Sequence, residues 1–211
     1  MAHERIRDCV FDIDGAAAFL RARGYRELHL AGHSTGANKI AVYDHYQPRN
    51  PYKRYVLLAG GDDVAMTVAL LGPKRFHAAL AKARAMVAAK RGSELVPRTV
   101  YDMPMSWRAF LDMNDPDGDY NVFPFAELLA GPRLSRRKHF RYVAGIRKPS
   151  LYVYGSLDPY TGGDVADAME LLSKVLAPRR NASITVIEEA DHGFGGKEAD
   201  LGRTIADWID R

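Results

Sequence analysis

The pentapeptide Gly32-His33-Ser34-Thr35-Gly36, reached directly from the apolar run Leu28-His29-Leu30-Ala31, constrains this chain more than any other feature. A serine with glycine two residues before and after it suits a tight bend between a strand and a helix. Glycine has no Cβ to strike the neighbouring strand or helix, so the hydroxyl projects above the end of the strand. There it is open to a base, and the N–H of Thr35 faces the place where an oxyanion would form. Five residues with three fixed positions are weak evidence alone, so the flanking sequence must support the bend.

That support is present. Glu27 to Ala31 is short and apolar enough for a buried strand. Before it, Asp12 to Arg23 places Ile13, Ala16, Ala17 and Leu20 at helical spacing, and Gly24 suits the end of that helix. After Ser34, Thr35 to Tyr46 sets Ala37, Ile40 and Ala41 on one face, and Pro48 and Pro51 stop the helix. The expected order is strand, turn, helix.

Three further apolar runs read as strands: Tyr55 to Ala59, Ser150 to Tyr154 and Ser183 to Ile187. Helical patterns lie at Asp164 to Leu176 and from about Lys197 to Ile209. This alternation predicts an α/β fold, a parallel sheet flanked by helices. The interval from Asp62 to Lys148 is too long for a simple crossover. It carries its own helices, notably the alanine-rich Arg75 to Lys90 closed by Gly92, and is expected to form a helical lid. The expected organisation is a core of residues 1–61 and 149–211 with residues 62–148 as lid or cap insertion.

Composition narrows the class. With 211 residues, 47% of them hydrophobic and 27% charged, the chain suits one globular domain with a sizeable core. The charged start, Met1 to Asp8, lacks the apolar region of a secretory signal, and no apolar span approaches the roughly 18 residues of a membrane helix; a cytoplasmic location with no membrane span is expected. Cys9 is the only cysteine. It excludes an intrachain disulfide and a cysteine-based zinc site, and reads as a small buried apolar residue. The net charge of +4 owes much to Arg133, Arg136, Arg137, Lys138 and Arg141. Without stacking aromatics or a nucleic-acid fold signature, that run is expected to be a solvated face and no nucleic-acid partner is expected. Asp115-Pro116-Asp117-Gly118-Asp119 resembles a calcium loop but fails its template, with Tyr120 at the sixth position and Ala126 at the twelfth. It reads as a turn of solvated acids, and no metal or cofactor is expected.

A serine hydroxyl needs a base to take its proton, and the base needs an acid to hold its tautomer. Asp158 follows the third apolar run in Tyr154-Gly155-Ser156-Leu157-Asp158-Pro159, and His192 follows the fourth in Asp191-His192-Gly193-Phe194. In a parallel sheet the three would gather at one edge, where open α/β folds bind ligands. Asp62 or Asp63, after the second strand, is the reserve for the acid. Asp191 adjoins His192 and would struggle to reach its ring; His33 and the other histidines read as structural.

With the Gly-His-Ser-Thr-Gly bend and the order Ser34, Asp158, His192, the chain resembles the α/β-hydrolase superfamily, in its serine esterase and lipase-like branch. The resemblance runs from the helix before the serine to the carboxyl terminus. It implies Ser34 as nucleophile, His192 as general base and then acid, Asp158 as orienting carboxylate, Thr35 as oxyanion donor, and a small-molecule ester or related acyl substrate. A serine at the bend argues against the relatives that carry aspartate there, the dehalogenases and epoxide hydrolases.

One departure stands out. The superfamily normally carries several strands before the serine strand and draws a second oxyanion N–H from a loop among them, whereas here only 26 residues precede Glu27. The N-terminal strands are expected to be missing, the chain to be truncated, and Glu27 to Ala31 to be a sheet edge open to self-association. The leading expectation is a carboxylic-ester hydrolase working through an acyl-enzyme on an ester, thioester or amide, with acyl transfer left open. The alternatives are a catalytically impaired remnant serving as a binding module, and a binder of acidic partners through Arg133 to Arg141. Tyr101, Met103, Met105, Trp107, Phe110, Met113, Phe123 and Phe125 suit either an acyl pocket or simple packing of the insertion.

Overall fold

The computed structural model describes residues 2–129, 131 and 133–211. The four apolar runs form parallel strands β1 (His29–His33), β2 (Arg54–Leu58), β3 (Ser150–Gly155) and β4 (Ala182–Ile187), in the spatial order β1-β2-β3-β4. The first is displaced two residues from its expected span. Glu27 stays outside with its carboxylate on Lys53, the ladder opens at His29 opposite Arg54, and it runs on to His33 opposite Leu58. Leu58 is level with Val153, and Gly155 with Ile187. All four strands therefore end along one edge.

Period-two alternation sends side chains to both faces. Tyr55, Leu57, Tyr152 and Tyr154 join one core, and Val56, Leu151 and Val153 join another. The first core is covered by α1 (Cys9–Ala22), α2 (Thr35–Tyr46) and α7 (Val165–Leu176); the second by α8 (Glu198–Ile209), which contributes Leu201, Ile205, Trp208 and Ile209. With helices on both faces this is the expected α/β architecture. On α1, Ala17 is buried and Ile13 and Leu20 pack beside it, whereas Ala16 faces solvent. This helix begins at Cys9, not Asp12, because buried Ile6 leads into it through a 3-10 turn. Burial pushes the Cys9 thiol up to about 12, which leaves it an inert apolar residue.

Between β2 and β3 lie α3 (Asp63–Leu71), α4 (Pro73–Ala88), α5 (Trp107–Asn114) and α6 (Phe125–Leu129). Packing divides this interval. Val64, Phe76, Leu80, Trp107 and Phe110 build a separate cluster, while Phe123, Phe125, Phe140 and Val143 belong to the main core. Of the apolar set marked in the sequence, all but Met103 and Met113 are buried in these clusters; Met103 is exposed and Met113 is half-buried. The alanine-rich α4 starts at Pro73, which suits a first helical position, and ends two residues early. Lys90 takes the left-handed conformation that closes it (φ 61°), so Gly92 is not the cap.

The acidic turn corrects a sequence expectation. Its acids are paired: Asp115 meets Arg84. Asp117 accepts from the backbone and guanidinium of Arg136, holding its carboxyl down to about 2, and buried Asp119 accepts from Arg7, Tyr46 and Tyr142. Arg141 donates to the carbonyl of Gly118. Part of the basic run is thus folded onto the acidic turn. Among the described residues, no helix is long and apolar enough to cross a membrane.

Asp62 fastens the interval to the sheet. Its carboxylate accepts from the N–H of Ala65 in α3 (2.9 Å) and of Ala126 in α6 (3.0 Å) while only 2% exposed. Burial outweighs these two bonds and pushes the group up to about 6. A carboxyl raised on folding supports the fold when protonated and loses that support as pH rises from about 4 through about 6. Asp62→Asn removes the titration. Its stability relative to the parent protein, from urea unfolding, is expected to improve by about 2 kcal/mol between pH 4.5 and 7.5. An offset equal at both pH values would contradict this.

Candidate active site

The bend at Ser34 is a consequence of crowding. Ser34 N–H closes the ladder on the carbonyl of Leu58 (2.8 Å), and the chain must then turn straight into α2. Ser34 does so at φ 56°, ψ −125°, a region that L-residues seldom occupy and that costs about 1–3 kcal/mol. A Cβ on Gly32 would lie 2.4 Å from the Gly36 carbonyl oxygen, so only glycine lets strand and helix approach this closely. Gly36 differs from the sequence expectation: a Cβ there meets nothing within 4 Å among the described residues. Thr35 opens α2, so its N–H is one of the helix's unpaired N-terminal donors. The Tyr120 phenol, kept protonated by burial, lies against its side chain.

Asp158 and His192 come together. Asp158 follows β3, opens a 3-10 turn by accepting from Tyr160 N–H (2.9 Å), and is 2% exposed. His192 sits on the loop after β4. A Cβ on Gly155 would be 2.3 Å from the carbonyl oxygen of Ala190, so a bare backbone at the end of β3 lets that loop settle against it. His192 Nδ1 then meets Asp158 Oδ2 at 3.0 Å and Oδ1 at 3.1 Å. A carboxylate only accepts, so Nδ1 carries a proton, and in the neutral ring the lone pair is on Nε2. No hydrogen bond joins the Ser34 hydroxyl to this imidazole among the described residues.

Other residues hold the ring. His33 Nε2 donates to the carbonyl of His192 (2.7 Å), and the two imidazoles lie 4.9 Å apart. Tyr160 packs on the same ring at 4.2 Å. His33 is therefore structural in a specific sense: it ties the serine bend to the imidazole loop. Asp191 accepts from the N–H groups of Gly193 and Gly195, which occupies it with its own turn. Asp62 is similarly committed to α3 and α6. The sequence left Tyr160 and Asn38 unmarked. Their signals were an aromatic two residues beyond Asp158 and a lone amide on the apolar face of α2, one turn beyond Ser34.

Asn38 is fully buried. Its amide donates to the carbonyl of Gly61 (3.1 Å) and to Asp63 Oδ2 (2.9 Å). Burial pushes Asp63 up to about 7; the charge of Asp62 adds to this and that of His192 works against it. Among the described residues, no group of three or more His, Cys, Asp or Glu side chains could hold a metal ion.

The two glycines of the bend separate experimentally. Gly32→Ala is expected to cost about 1–3 kcal/mol or more, because the obstacle is backbone. Gly36→Ala is expected to be neutral or slightly stabilising, since it lies within α2. Thermal unfolding of both variants checks the contrast, and equal losses would contradict it.

Comparisons with known proteins agree with this architecture. Residues 6–208 match the family described as Protein of unknown function (DUF1749). No curated protein matches the sequence. Among solved structures, the chain is similar to a monoacylglycerol lipase from Paleococcus ferrophilus, at 17% identity and a TM-score of 0.60, covering 99% of this chain and 76% of that one. It is also similar to E-2-(acetamidomethylene)succinate hydrolase, at 17% identity and 0.52, covering 98% and 74%. A third is the esterase domain of a Rhodothermus marinus protein, at 15% identity and 0.53, covering 94% and 67%. The chain, with its four parallel strands, flanking helices and glycine-framed serine bend, belongs to the DUF1749 family and has the α/β-hydrolase fold.

Proposed function

We propose that the protein is a serine hydrolase of the carboxylic-ester type, acting through an acyl-enzyme on a small-molecule ester. Ser34 Oγ attacks the acyl carbonyl while His192 Nε2 takes its proton, so the nucleophile forms its bond without a free alkoxide. The charge that builds on the carbonyl oxygen receives the Thr35 N–H. Collapse breaks the ester C–O bond, and the proton on Nε2 passes to the departing alkoxide. Water then attacks the acyl-serine, again giving its proton to Nε2; collapse breaks the acyl C–Oγ bond, Nε2 returns the proton to Ser34 Oγ, and the carboxylic acid departs. Asp158 orients the ring throughout and stabilises the imidazolium. In this reading residues 62–148 act as the lid over a core of residues 1–61 and 149–211.

The observation that supports this reading best is the Asp158–His192 pair on the sheet edge that also bears Ser34 at φ 56°. Ser34 departs from ordinary backbone geometry at the one residue whose exposure the chemistry needs. The His33 to His192 hydrogen bond spans the gap between that bend and the base.

A fluorophosphonate probe is expected to label the intact protein at Ser34 and to leave Ser34→Ala unlabelled. On p-nitrophenyl acetate, Asp158→Asn is expected to lower kcat about 10³- to 10⁴-fold, the size of effect that follows loss of the orienting acid. Equal labelling of the parent protein and Ser34→Ala, or an unchanged kcat in folded Asp158→Asn, would overturn the proposal.

A further inference from the structure

The seam between the β2–β3 interval and the turn after β3 holds a cavity of about 410 Å³, and neither Ser34 nor His192 lines it. Met66 and Val68 of α3, together with Leu134 and Pro159, give it apolar walls, and two acids, Asp62 and Glu127, share the lining. Among the described residues no lysine, arginine or histidine lines it. Local structure brings the two acids to one wall. Asp62 accepts the N–H of Ala126 (3.0 Å), and Glu127 is the next residue of α6.

Neither carboxyl is saturated by the fold. Asp62 takes one N–H on each oxygen, from Ala65 on Oδ1 and from Ala126 on Oδ2, and each carboxylate oxygen has two lone pairs. Glu127 receives the N–H groups of Leu134 and Ser135 (both 2.8 Å) and His139 Nε2 (3.1 Å) on Oε2, and the Asn121 amide (3.2 Å) on Oε1. Acceptor capacity therefore remains on both oxygens of Asp62 and on Glu127 Oε1. Asp62 is buried and the Glu127 side chain is 4% exposed, so bulk water offers these oxygens little solvation.

We infer that this cavity binds a small amphiphile with one primary ammonium group: the apolar walls take its hydrocarbon body, and Asp62 and Glu127 accept its N–H donors. The inference stands apart from the hydrolase reading. A carboxylate ligand would meet two charges of its own sign, and a neutral alcohol would leave those charges uncompensated. An ammonium brings three donors to the open lone pairs and a cation to two acids that otherwise repel each other. Its body would lie against Pro159 and Gly162, which bracket Tyr160, and the Tyr160 ring packs on His192 (4.2 Å). The cavity is thus a neighbour of the imidazole and separate from the serine.

Affinity follows the charge on Asp62. Glu127 from α6 and Asp63 in α3 oppose that charge, the N–H groups of Ala65 and Ala126 support it, and His139 donates to Glu127. Burial raises the Asp62 carboxyl to about 6, whereas at Glu127 the hydrogen-bond donors outweigh burial and hold the group low. Between pH 5 and 7.5 Asp62 alone of the two changes its charge, and the ammonium is held more tightly as the pH rises.

Chemical-shift titration of the intact protein with hexylammonium chloride at pH 7.5 is expected to move the amide resonances of Val68, Ala126 and Leu134 with one Kd, about 10-fold lower than that of 1-hexanol at the same residues. Hexanoate is expected to leave them unmoved. At pH 5 the ammonium Kd is expected to rise about 3- to 10-fold while that of hexanol holds. Asp62→Asn is expected to weaken hexylammonium about 5- to 10-fold and to spare hexanol. Ala69→Phe, at an exposed position of α3 in the cavity wall, is expected to abolish binding of both. If Asp62→Asn does not fold, the preference of the parent protein for ammonium over alcohol, and its loss at pH 5, carry the test. Equal Kd values for hexylammonium and hexanol, or a preference that is the same at both pH values, would overturn the ammonium assignment. Cavity resonances that stay still, or shifts that persist in Ala69→Phe, would overturn the site.

Discussion

The level register of four parallel strands is the constraint from which the rest of this protein follows. Leu58 stands opposite both His33 and Val153, and Gly155 opposite Ile187. β1 and β2 end level, β3 and β4 end level two residues further on, and all four release their loops at the same edge, so residues far apart in the chain become neighbours. Two glycines turn proximity into contact. Gly32 admits the Gly36 carbonyl at the serine bend, and Gly155 admits the Ala190 carbonyl at the imidazole loop. In both places the obstacle to a side chain is backbone, which has nowhere to move.

Much of this was legible in the sequence because it depends on local pattern. The α2 span was readable residue for residue, since an apolar face and following prolines fix both ends. The four strands were readable as apolar runs, and the loops after them supplied Ser34, Asp158 and His192. Strand edges were less legible. The span of β1 moved by two residues because Glu27 prefers Lys53 to the ladder. The end of α4 was misread because Lys90 accepts a positive φ that the sequence assigns by habit to glycine.

What the sequence could not reveal were contacts between distant segments. Acidic residues 115–119 and basic residues 133–141 each looked like a solvated run when read alone. Their hydrogen bonds to one another, and to Arg7, appear only when the fold brings them together. The adjacent acids after β2 show the same limit. Nothing in their spacing says that Asp62 spends both oxygens on backbone N–H groups of two helices while Asp63 turns to an amide on α2. One acid ties α3 and α6 together, and the other ties the start of α3 to α2.

His33 carries this argument to the bend itself. It fills a variable position of the serine motif, so the motif assigns it no duty, yet its side chain binds the backbone of the residue that bears the imidazole. The strained Ser34 backbone persists only because its surroundings over-determine it. Those surroundings are the Leu58 hydrogen bond, the Gly32–Gly36 contact and the His33 tie. Two of the three are also contacts between strand ends or loops. The geometry of the serine and the placement of the ring are therefore held by one set of contacts, and a change in either segment is transmitted to the other.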